Sequence, residues 1–331
     1  MMEALKSLAP PTDAATFAAA RAKARELGGS AALCSELQTA GFVEDGRLTT
    51  GTKPFNIFAR VGAGVMTQPN MEEENAALGA TAGSQFVVAC NRPENDEHWA
   101  NADPEWVGKA SMAERHRFLT TKDMAWQMFN VLSYGLDGDA ASLAAAVETL
   151  EALQAAAHTF ATATPSWSTA SLGLYFHCYP HNSVNSLHLH MVDLSATGPT
   201  FDALSYKNLP LDAVLTVLKA ELAEAEAALT QAMRGLEEVL SDAINNAIND
   251  ANDGGAAAAT TADHARRVGE YMLDAAGHFS RNLQGARVGG VPPPKLAGAE
   301  PSKAELQALF EKAYAQAGAA KLQAALSSVL L

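Results

Sequence analysis

The stretch NSVNSLHLHMVDLS, residues 182–195, places two histidines one residue apart in an apolar run. Its alternation predicts a β-strand over 186–194, on which residues two apart point to the same face. His188 and His190 then lie side by side, about 7 Å apart along the backbone. Two imidazoles beside a core are costly unless each has a partner, which marks the pair as a candidate site. The opposite face is predicted to pack on the core through Leu187, Leu189 and Met191.

Three interpretations of the pair differ in what the two rings contact. Satisfied surface histidines need only a solvated face. A zinc or iron site needs a further ligand, which His177 on the preceding predicted strand could supply. The loop before the pair, HCYPHNS at 177–183, offers amides and hydroxyls that favour phosphate binding. Neutral imidazole is a good nucleophile near pH 7, which favours attack by a ring on that phosphate.

The motif Ser186-Leu187-His188-Leu189-His190-Met191-Val192 resembles the signature of the histidine triad (HIT) superfamily, His-φ-His-φ-His-φ-φ with apolar φ. The second and third histidines and the apolar positions match, whereas Ser186 stands where the first histidine is expected. The loop before the motif is similar to that of the aprataxin-like branch of nucleotide hydrolases. His190, where the uridylyltransferase branch has Gln, argues against that branch. The resemblance covers about residues 55–195 and is most specific over 177–194.

The resemblance implies that His188 is a nucleophile, attacking an α-phosphate to give a nucleotidyl-histidine that water resolves. His190 is implied to hydrogen-bond the phosphate, and Ser183 to contact it, with Asn182 next to it. Ser186 can donate a hydrogen bond but cannot carry a proton at neutral pH. The mechanism calls for no cofactor and no resident metal. Further candidates for substrate binding are His177, His181, Phe55, Ile57, Phe58 and Lys207.

The rest of the chain predicts a mixture of strands and helices. Strands are predicted at 53–64, 84–96, 171–180 and 186–194, and helices at 13–28, 121–135 and 139–160. The resemblance implies that FNIFARV, within the first of these strands, lies where the opening strand of the HIT fold would be. Further helices are predicted at about 210–250, 262–284 and 303–329. The remaining histidines, interpreted as surface or helix residues, are His98, His116 and His158.

These elements predict an α+β fold: a HIT-like antiparallel sheet with flanking helices, followed by a largely helical C-terminal region. The predicted domains are an N-terminal helical segment at 1–50, a HIT-like domain at 51–200 and a helical extension at 201–331. The predicted function is a nucleotide phosphohydrolase or nucleotidyl transferase acting on a small nucleotide phosphoanhydride or phosphoramidate. A catalytically weak nucleotide-binding module and a metal-dependent enzyme built on the HxH strand are the alternatives. By the resemblance, a homodimer is expected.

Composition and charge restrict the partners of the chain. It has 331 residues and a formal net charge of −14, and an acidic surface disfavours general nucleic-acid binding. No apolar run reaches the ~20 residues of a membrane span, and the N-terminus lacks a secretory-signal pattern. Three scattered cysteines predict free thiols in a reducing compartment, and a cytoplasmic location is expected. The basic, Ala-rich stretch at 17–27 leaves an organelle transit peptide as the alternative.

Overall fold

A computed structural model describes residues 1–69, 71–228 and 230–231. The chain divides into two compact units, Met1–Ala223 and Glu224–Leu331, and the first contains the sheet and the histidine pair. The predicted helix at 210–250 is helical over 211–228. The helices predicted at 262–284 and 303–329 lie outside the described residues. The predicted domain boundaries at residues 50 and 200 stay predictions.

The centre of the first unit is a five-stranded antiparallel sheet. Its spatial order is β3-β4-β6-β5-β7, and β1 and β2 form a separate hairpin. The predicted strands at 84–96, 171–180 and 186–194 correspond to β3, β5 and β6. The sequence HLHMVD of β6 lies in the middle of the sheet and is buried throughout. The strands are β1 (Val43–Glu44), β2 (Arg47–Leu48), β3 (Phe86–Cys90), β4 (His116–Thr121), β5 (Leu172–Phe176), β6 (His188–Asp193) and β7 (Leu209–Pro210).

Helices flank this sheet, so the coarse prediction of an α+β fold is confirmed. The long helix predicted at 139–160 is α8, and Asp139 caps it by accepting from the backbone N–H groups of Ala141 and Ser142. In the described part of the chain, no helix is long and apolar enough to cross a membrane. The helices are α1 (Met2–Lys6), α2 (Ala14–Glu26), α3 (Gly29–Thr39), α4 (Ile57–Gly62), α5 (Met71–Ala76), α6 (Gly79–Gln85), α7 (Pro93–Glu97), α8 (Ala140–Ala163) and α9 (Pro199–Leu204).

Strand β4 was not predicted, although it lies directly beside β6. Its register sets Thr120 opposite His188 and Phe118 opposite His190. Because paired residues of antiparallel strands share a face, the alternate residues of β4, beginning with His116, join the face of the histidine pair. The intervening Arg117 forms ion pairs with acidic side chains of α5 and α7. The interpretation of His116 as a surface or helix residue is therefore wrong.

The segment predicted as an opening strand at 53–64 is instead the short helix α4. Asn56 is its N-cap, and the Oδ1 atom of Asn56 accepts from the backbone N–H of Ala59. Phe58 and Val61, three residues apart, turn one face of the helix into the core. A Cβ on Gly62 would lie 2.3 Å from the carbonyl oxygen of Thr121, so the helix passes too close to β4 for any other residue.

The helix predicted at 121–135 is also wrong. Only Trp126–Phe129 forms a 3₁₀ turn, and the buried Asn130 organises the chain just after it. The Oδ1 atom of Asn130 accepts from the backbone N–H groups of Leu132 and Tyr179, and its Nδ2 atom donates to the carbonyl of His177. The apolar spacing that suggested a helix belongs to core residues of a buried turn. This turn connects to the end of β5 and so helps to position His177.

The fully buried Arg21 of α2 connects this N-terminal helix to residues 132–135 and to Glu221. The guanidinium donates to the carbonyls of Leu132, Tyr134 and Gly135, and its Nη2 atom lies 2.7 Å from Oε2 of Glu221. A buried charge that loses its counter-ion is strongly destabilising. The five donors of Arg21 thus bring together segments that are distant in sequence.

Replacing Glu221 with Gln is expected to lower the free energy of unfolding by about 3–5 kcal/mol, because Arg21 keeps its charge without a counter-ion. Urea denaturation measures the loss. Glu151→Gln is the matched control, since Glu151 forms a half-exposed pair with Lys219 and should cost less than about 1 kcal/mol. Equal losses in the two variants would contradict a special role for the buried pair.

The free edge of β3 is already hydrogen-bonded by two amide side chains. Gln68 donates to and accepts from the backbone of Cys90, at 2.8 and 3.0 Å. Asn75 does the same at Val88, at 3.3 and 2.8 Å. An open edge would invite pairing with another chain, and these amides occupy the groups that such a strand needs. The expected homodimer stays a prediction, and it needs a surface other than this edge.

Candidate active site

Four histidines meet on one face of the sheet: His188 and His190 from β6, His116 from β4, and His177 just after β5. All are buried, with exposed fractions of 4–6%. The ring centre of His190 lies 4.1 Å from His177, 5.0 Å from His188 and 5.3 Å from His116. The convergence expected for His177 is present, and His116 adds a fourth ring. The interpretation of the pair as solvated surface histidines is wrong.

A hydrogen-bonded chain decides which nitrogen of His190 carries its proton. The backbone N–H of Met112 donates to Nδ1 of His116 at 3.2 Å, so the proton of His116 is on Nε2. That Nε2–H donates to Nδ1 of His190 at 3.1 Å. The proton of His190 is then on Nε2, which is buried and has no hydrogen-bond partner within the part of the chain that the structure describes. His190 therefore presents an unsatisfied N–H donor on the histidine face.

The opposite tautomer is imposed on His188. Its Nδ1 lies 2.7 Å from the carbonyl oxygen of Ser186, and a carbonyl can only accept, so the proton is on Nδ1. The Nε2 atom keeps its lone pair, which is what a nucleophile requires. Phe58 of α4 stacks on the ring at 4.1 Å with an interplanar angle of 16°, which fixes its orientation. His188 is thus held in one orientation and in the tautomer that leaves the Nε2 lone pair available.

Ser186 acts through its backbone as much as through its hydroxyl. It adopts a positive φ of 68°, which turns its carbonyl toward His188, and its Oγ accepts from Nδ2 of Asn56 at 2.8 Å. Asn56 is itself fully buried and caps α4. The α4 helix, the loop and the strand are therefore joined at this one contact. The positive φ is uncommon for a residue with a Cβ, and Asn56 helps to hold it.

Burial keeps the four rings neutral. Desolvation lowers the pKa of His188 to about 4 and the pKa values of His116 and His177 to about 3. It also holds the pKa of His190 well below its usual range, with the neighbouring histidines acting in the same direction. At pH 7, the site therefore contains neutral imidazoles in fixed tautomers.

Lys207 and Asn208 approach the cluster from the segment that leads into β7. Lys207 is buried, and its Nζ donates to Oγ of the exposed Ser183 at 3.2 Å. The Oδ1 atom of Asn208 accepts from Nε2–H of His177 at 2.9 Å. The positive charge of Lys207 lowers the pKa values of His177, His188 and His190 further, so the ammonium lies within electrostatic reach of all three rings.

The other predicted substrate-binding residues have different surroundings. Phe55 is 56% exposed, with the guanidinium of Arg60 5.8 Å from its ring centre. Ile57 is half-buried and packs beside Phe58 in the core. The Nδ2 atom of Asn182 donates within the loop, to the carbonyl of Val184 and to Oδ1 of Asn185. His181 is half-buried beside the main chain of Leu5 and Leu8.

The sequence analysis did not place three residues in the candidate site: His116, Asn56 and Asn208. His116 had a usable signal, because His116, Phe118 and Thr120 alternate with Arg117 and Leu119 as a strand requires. Asn56 carried a weaker one, since Asn before a helical apolar spacing is a common N-cap. Asn208 had none, because its role depends on how the chain after β6 returns to the sheet.

Among the described residues, no three side chains of His, Cys, Asp or Glu are placed so as to hold a metal ion. The cysteines are free thiols, as predicted: Cys34, Cys90 and Cys178. No family model, no curated protein and no solved structure matches the chain. The proposed function therefore rests on the geometry of the histidine cluster.

Proposed function

We propose that the protein is a nucleotide phosphohydrolase or nucleotidyl transferase of the HIT type, acting through a nucleotidyl-histidine on His188. The observation that carries this proposal is the tautomer of His188. Its Nδ1–H is committed to the carbonyl of Ser186, which leaves the Nε2 lone pair for attack. A neutral, oriented imidazole with a depressed pKa is a ready nucleophile at neutral pH.

The neighbouring groups fit the charges that develop during attack on an α-phosphate. Nε2 of His188 forms a bond to phosphorus as the bond to the leaving group breaks, and the ring becomes positive. The carbonyl of Ser186 stabilises that charge through the Nδ1–H hydrogen bond. The unpartnered Nε2–H of His190 can donate to a non-bridging phosphate oxygen, where negative charge accumulates. Water then forms a P–O bond, the electron pair of the P–N bond returns to Nε2 of His188, and the proton of the water passes to solvent.

The position of β6 in the sheet also supports this proposal. We assign the sheet as HIT-like because β6 carries the His188–His190 pair at its centre and because α8 and β5 precede β6 along the chain. The side chain at position 186, where the family has a histidine, does not reach the chemistry here. Its carbonyl performs the orienting task, so serine is compatible with catalysis at this position. The substrate is a small nucleotide, and the cytoplasmic location stays a prediction.

The proposal is tested by trapping the intermediate. Rapid mixing with adenosine 5′-phosphoramidate or ADP, followed by an alkaline quench, is expected to add one adenylyl group to the protein at His188. Peptide mapping by mass spectrometry locates it. His188→Gln should show no adduct, and His158→Gln, which changes an exposed histidine on α8, should keep it.

Two results distinguish the alternatives. Turnover without any adduct, across the whole time course, would reject covalent catalysis by His188. Tight binding of AMP with neither adduct nor turnover would identify a nucleotide-binding module, in which the ordered histidines only contact the phosphate. The trapping experiment therefore decides between an enzyme and a binding module as well as between two mechanisms.

A further inference from the structure

The segment between β3 and β4 contains a row of hydrogen-bonded side chains that ends at His116. Asp96 of α7 accepts from the hydroxyl of Ser111. Oγ of Ser111 lies 2.6 Å from Nδ2 of Asn91, and the same Nδ2 lies 3.3 Å from Nδ1 of His116. Ser111 is 1% exposed, so its hydroxyl has little access to water. Because His116 donates to His190, the row connects a carboxylate of α7 to the histidine face.

The carboxylate of Asp96 fixes the direction of every bond in this row. An ionised carboxylate can only accept, so the single hydroxyl proton of Ser111 points at Asp96. Oγ of Ser111 then has only lone pairs to offer, and Asn91 must present its NH2 group to it rather than its carbonyl oxygen. The two ends of an Asn amide have the same shape, so these bonds decide its orientation. The second N–H of Asn91 is thereby directed at Nδ1 of His116.

Arg117 of β4 holds the carboxylate in place. Its Nη1 atom lies 3.2 Å from Oδ2 of Asp96, and its Nε atom lies 2.9 Å from Oε1 of Glu74. Ser111 donates to the other oxygen of Asp96, so the carboxylate serves both partners at once. Since Arg117 directly follows His116, the strand that carries the ring also anchors the carboxylate that orients it.

The backbone N–H of Met112 donates to the same Nδ1 of His116, at 3.2 Å. Its position also depends on α7, because the preceding residue is held there twice. The backbone N–H of Ser111 donates to the carbonyl of Asn95 at 2.9 Å, and its hydroxyl donates to Asp96. Two donors therefore reach one nitrogen of His116, and both are located by the same helix.

We propose that Asp96, Ser111 and Asn91 are positioning residues, a tautomer relay that fixes where the neighbouring histidines carry their protons. With Nδ1 of His116 accepting from Asn91, its proton is on Nε2 and is donated to Nδ1 of His190. His190 then keeps its own proton on Nε2, the donor proposed to bind the phosphate. The catalytic consequence rests on the proposed function, whereas the tautomers do not depend on it.

Asp96→Asn tests the direction of the relay. Arg117 should attract the amide oxygen of the new side chain, which turns its NH2 group toward Ser111. Ser111 is then free to donate its proton to Asn91, whose amide turns its oxygen toward the histidine face. The donor of Met112 opposes this reversal, so we expect a mixture of the two tautomers in place of one.

Nitrogen-15 NMR of protein labelled at histidine measures the tautomers, because protonated and unprotonated ring nitrogens give separate signals. The variants His116→Gln and His190→Gln assign the two rings among the nine histidines. The unsubstituted protein is expected to carry the proton of each ring on Nε2, and Asp96→Asn should show both tautomers. Its kcat for the nucleotide that is hydrolysed faster should fall by about 3- to 10-fold, as for the loss of one hydrogen bond, with a smaller change in KM.

Two further variants separate the relay from general packing. Glu74→Gln is the matched control, because it removes the other ion pair of Arg117 without contact to Ser111. It should leave the tautomers and kcat unchanged. Ser111→Ala interrupts the relay by removing one oxygen atom from a buried position, so it is expected to fold, and it should again produce both tautomers.

The two readouts distinguish this inference from the proposed function. A single tautomer in both Asp96→Asn and Ser111→Ala would assign the protons to the donor of Met112 alone and overturn the relay. A mixture in either variant with an unchanged kcat would support the relay and remove the N–H of His190 from the proposed chemistry. If the protein hydrolysed no nucleotide, the proposed function would fail, and the NMR signals would still decide the relay.

Discussion

Replacing His188 with alanine is expected to reduce nucleotide turnover by about a thousandfold or more, on whichever of ADP and adenosine 5′-phosphoramidate the protein hydrolyses faster. The substitution removes the Nε2 lone pair and the ring that carries the positive charge of the intermediate. It leaves the donor of His190 in place, because the chain through Met112 and His116 does not include His188. Steady-state release of AMP measures the effect.

The comparison variants separate chemistry from packing. His188→Gln retains an amide in place of the ring and should lose turnover to a similar extent, while His158→Gln should retain it. Phosphate binding should survive in His188→Gln, since His190 and Lys207 remain. Turnover that persisted in both His188 variants and disappeared with a chelator would instead support a metal-dependent enzyme, and it would remove His188 from the role of nucleophile.

The secondary structure was predicted correctly where its determinants lie within one short stretch of sequence. The alternation through His188 and His190 requires a strand with one imidazole face and one apolar face, whatever the rest of the chain does. The capped helix after Asp139 is similarly local, because its cap and its apolar spacing lie within α8. The resemblance of residues 186–192 to the HIT signature stays a prediction, and only the coarser prediction of an α+β fold with an antiparallel sheet and flanking helices is confirmed.

The errors arose where tertiary contacts decide the conformation. KPFNIFARVGAG alternates well enough for a strand, yet contact of Asn56 with Ser186 and of Phe58 with His188 favours a capped helix. Strand β4 was missed because Arg117, a charged residue, lies between two residues that face the site. Its charge is compensated by ion pairs with Glu74 of α5 and Asp96 of α7, which the sequence does not show. Neither the tautomer of His190 nor the unsatisfied amide of Asn208 can be inferred without the neighbouring strands.

Acidification is expected to destabilise the protein steeply, because all four site histidines are neutral when folded. An unfolded histidine has a pKa of about 6.5, whereas the folded pKa values are about 4 for His188 and about 3 for His116 and His177, with that of His190 also far below 6.5. Below pH 6.5 the unfolded chain binds protons that the folded chain cannot. The stabilising contribution is therefore complete above pH 6.5 and is lost as the pH falls toward 4.

The expected loss is large enough to control the acid limit of activity. Only the part of this range below the unfolded pKa of about 6.5 counts, so each histidine loses about 1.4 kcal/mol between pH 7.5 and 5.5, and four of them lower the free energy of unfolding by about 5 kcal/mol. Total stabilities of about 5–15 kcal/mol are typical, so unfolding should precede protonation of His188 in the folded state. Urea denaturation at the two pH values measures the change.

A matched pair of variants assigns this pH dependence to the cluster. His177→Gln keeps a polar partner for Asn208 and should reduce the loss by about 1.4 kcal/mol. His158→Gln is the control, because it changes an exposed histidine on α8 that lies outside the cluster. A free energy of unfolding that stayed constant from pH 7.5 to 5.5 would show that the rings accept protons without unfolding. His188 would then be protonated in the folded protein, and the nucleophile itself would set the acid limit of turnover.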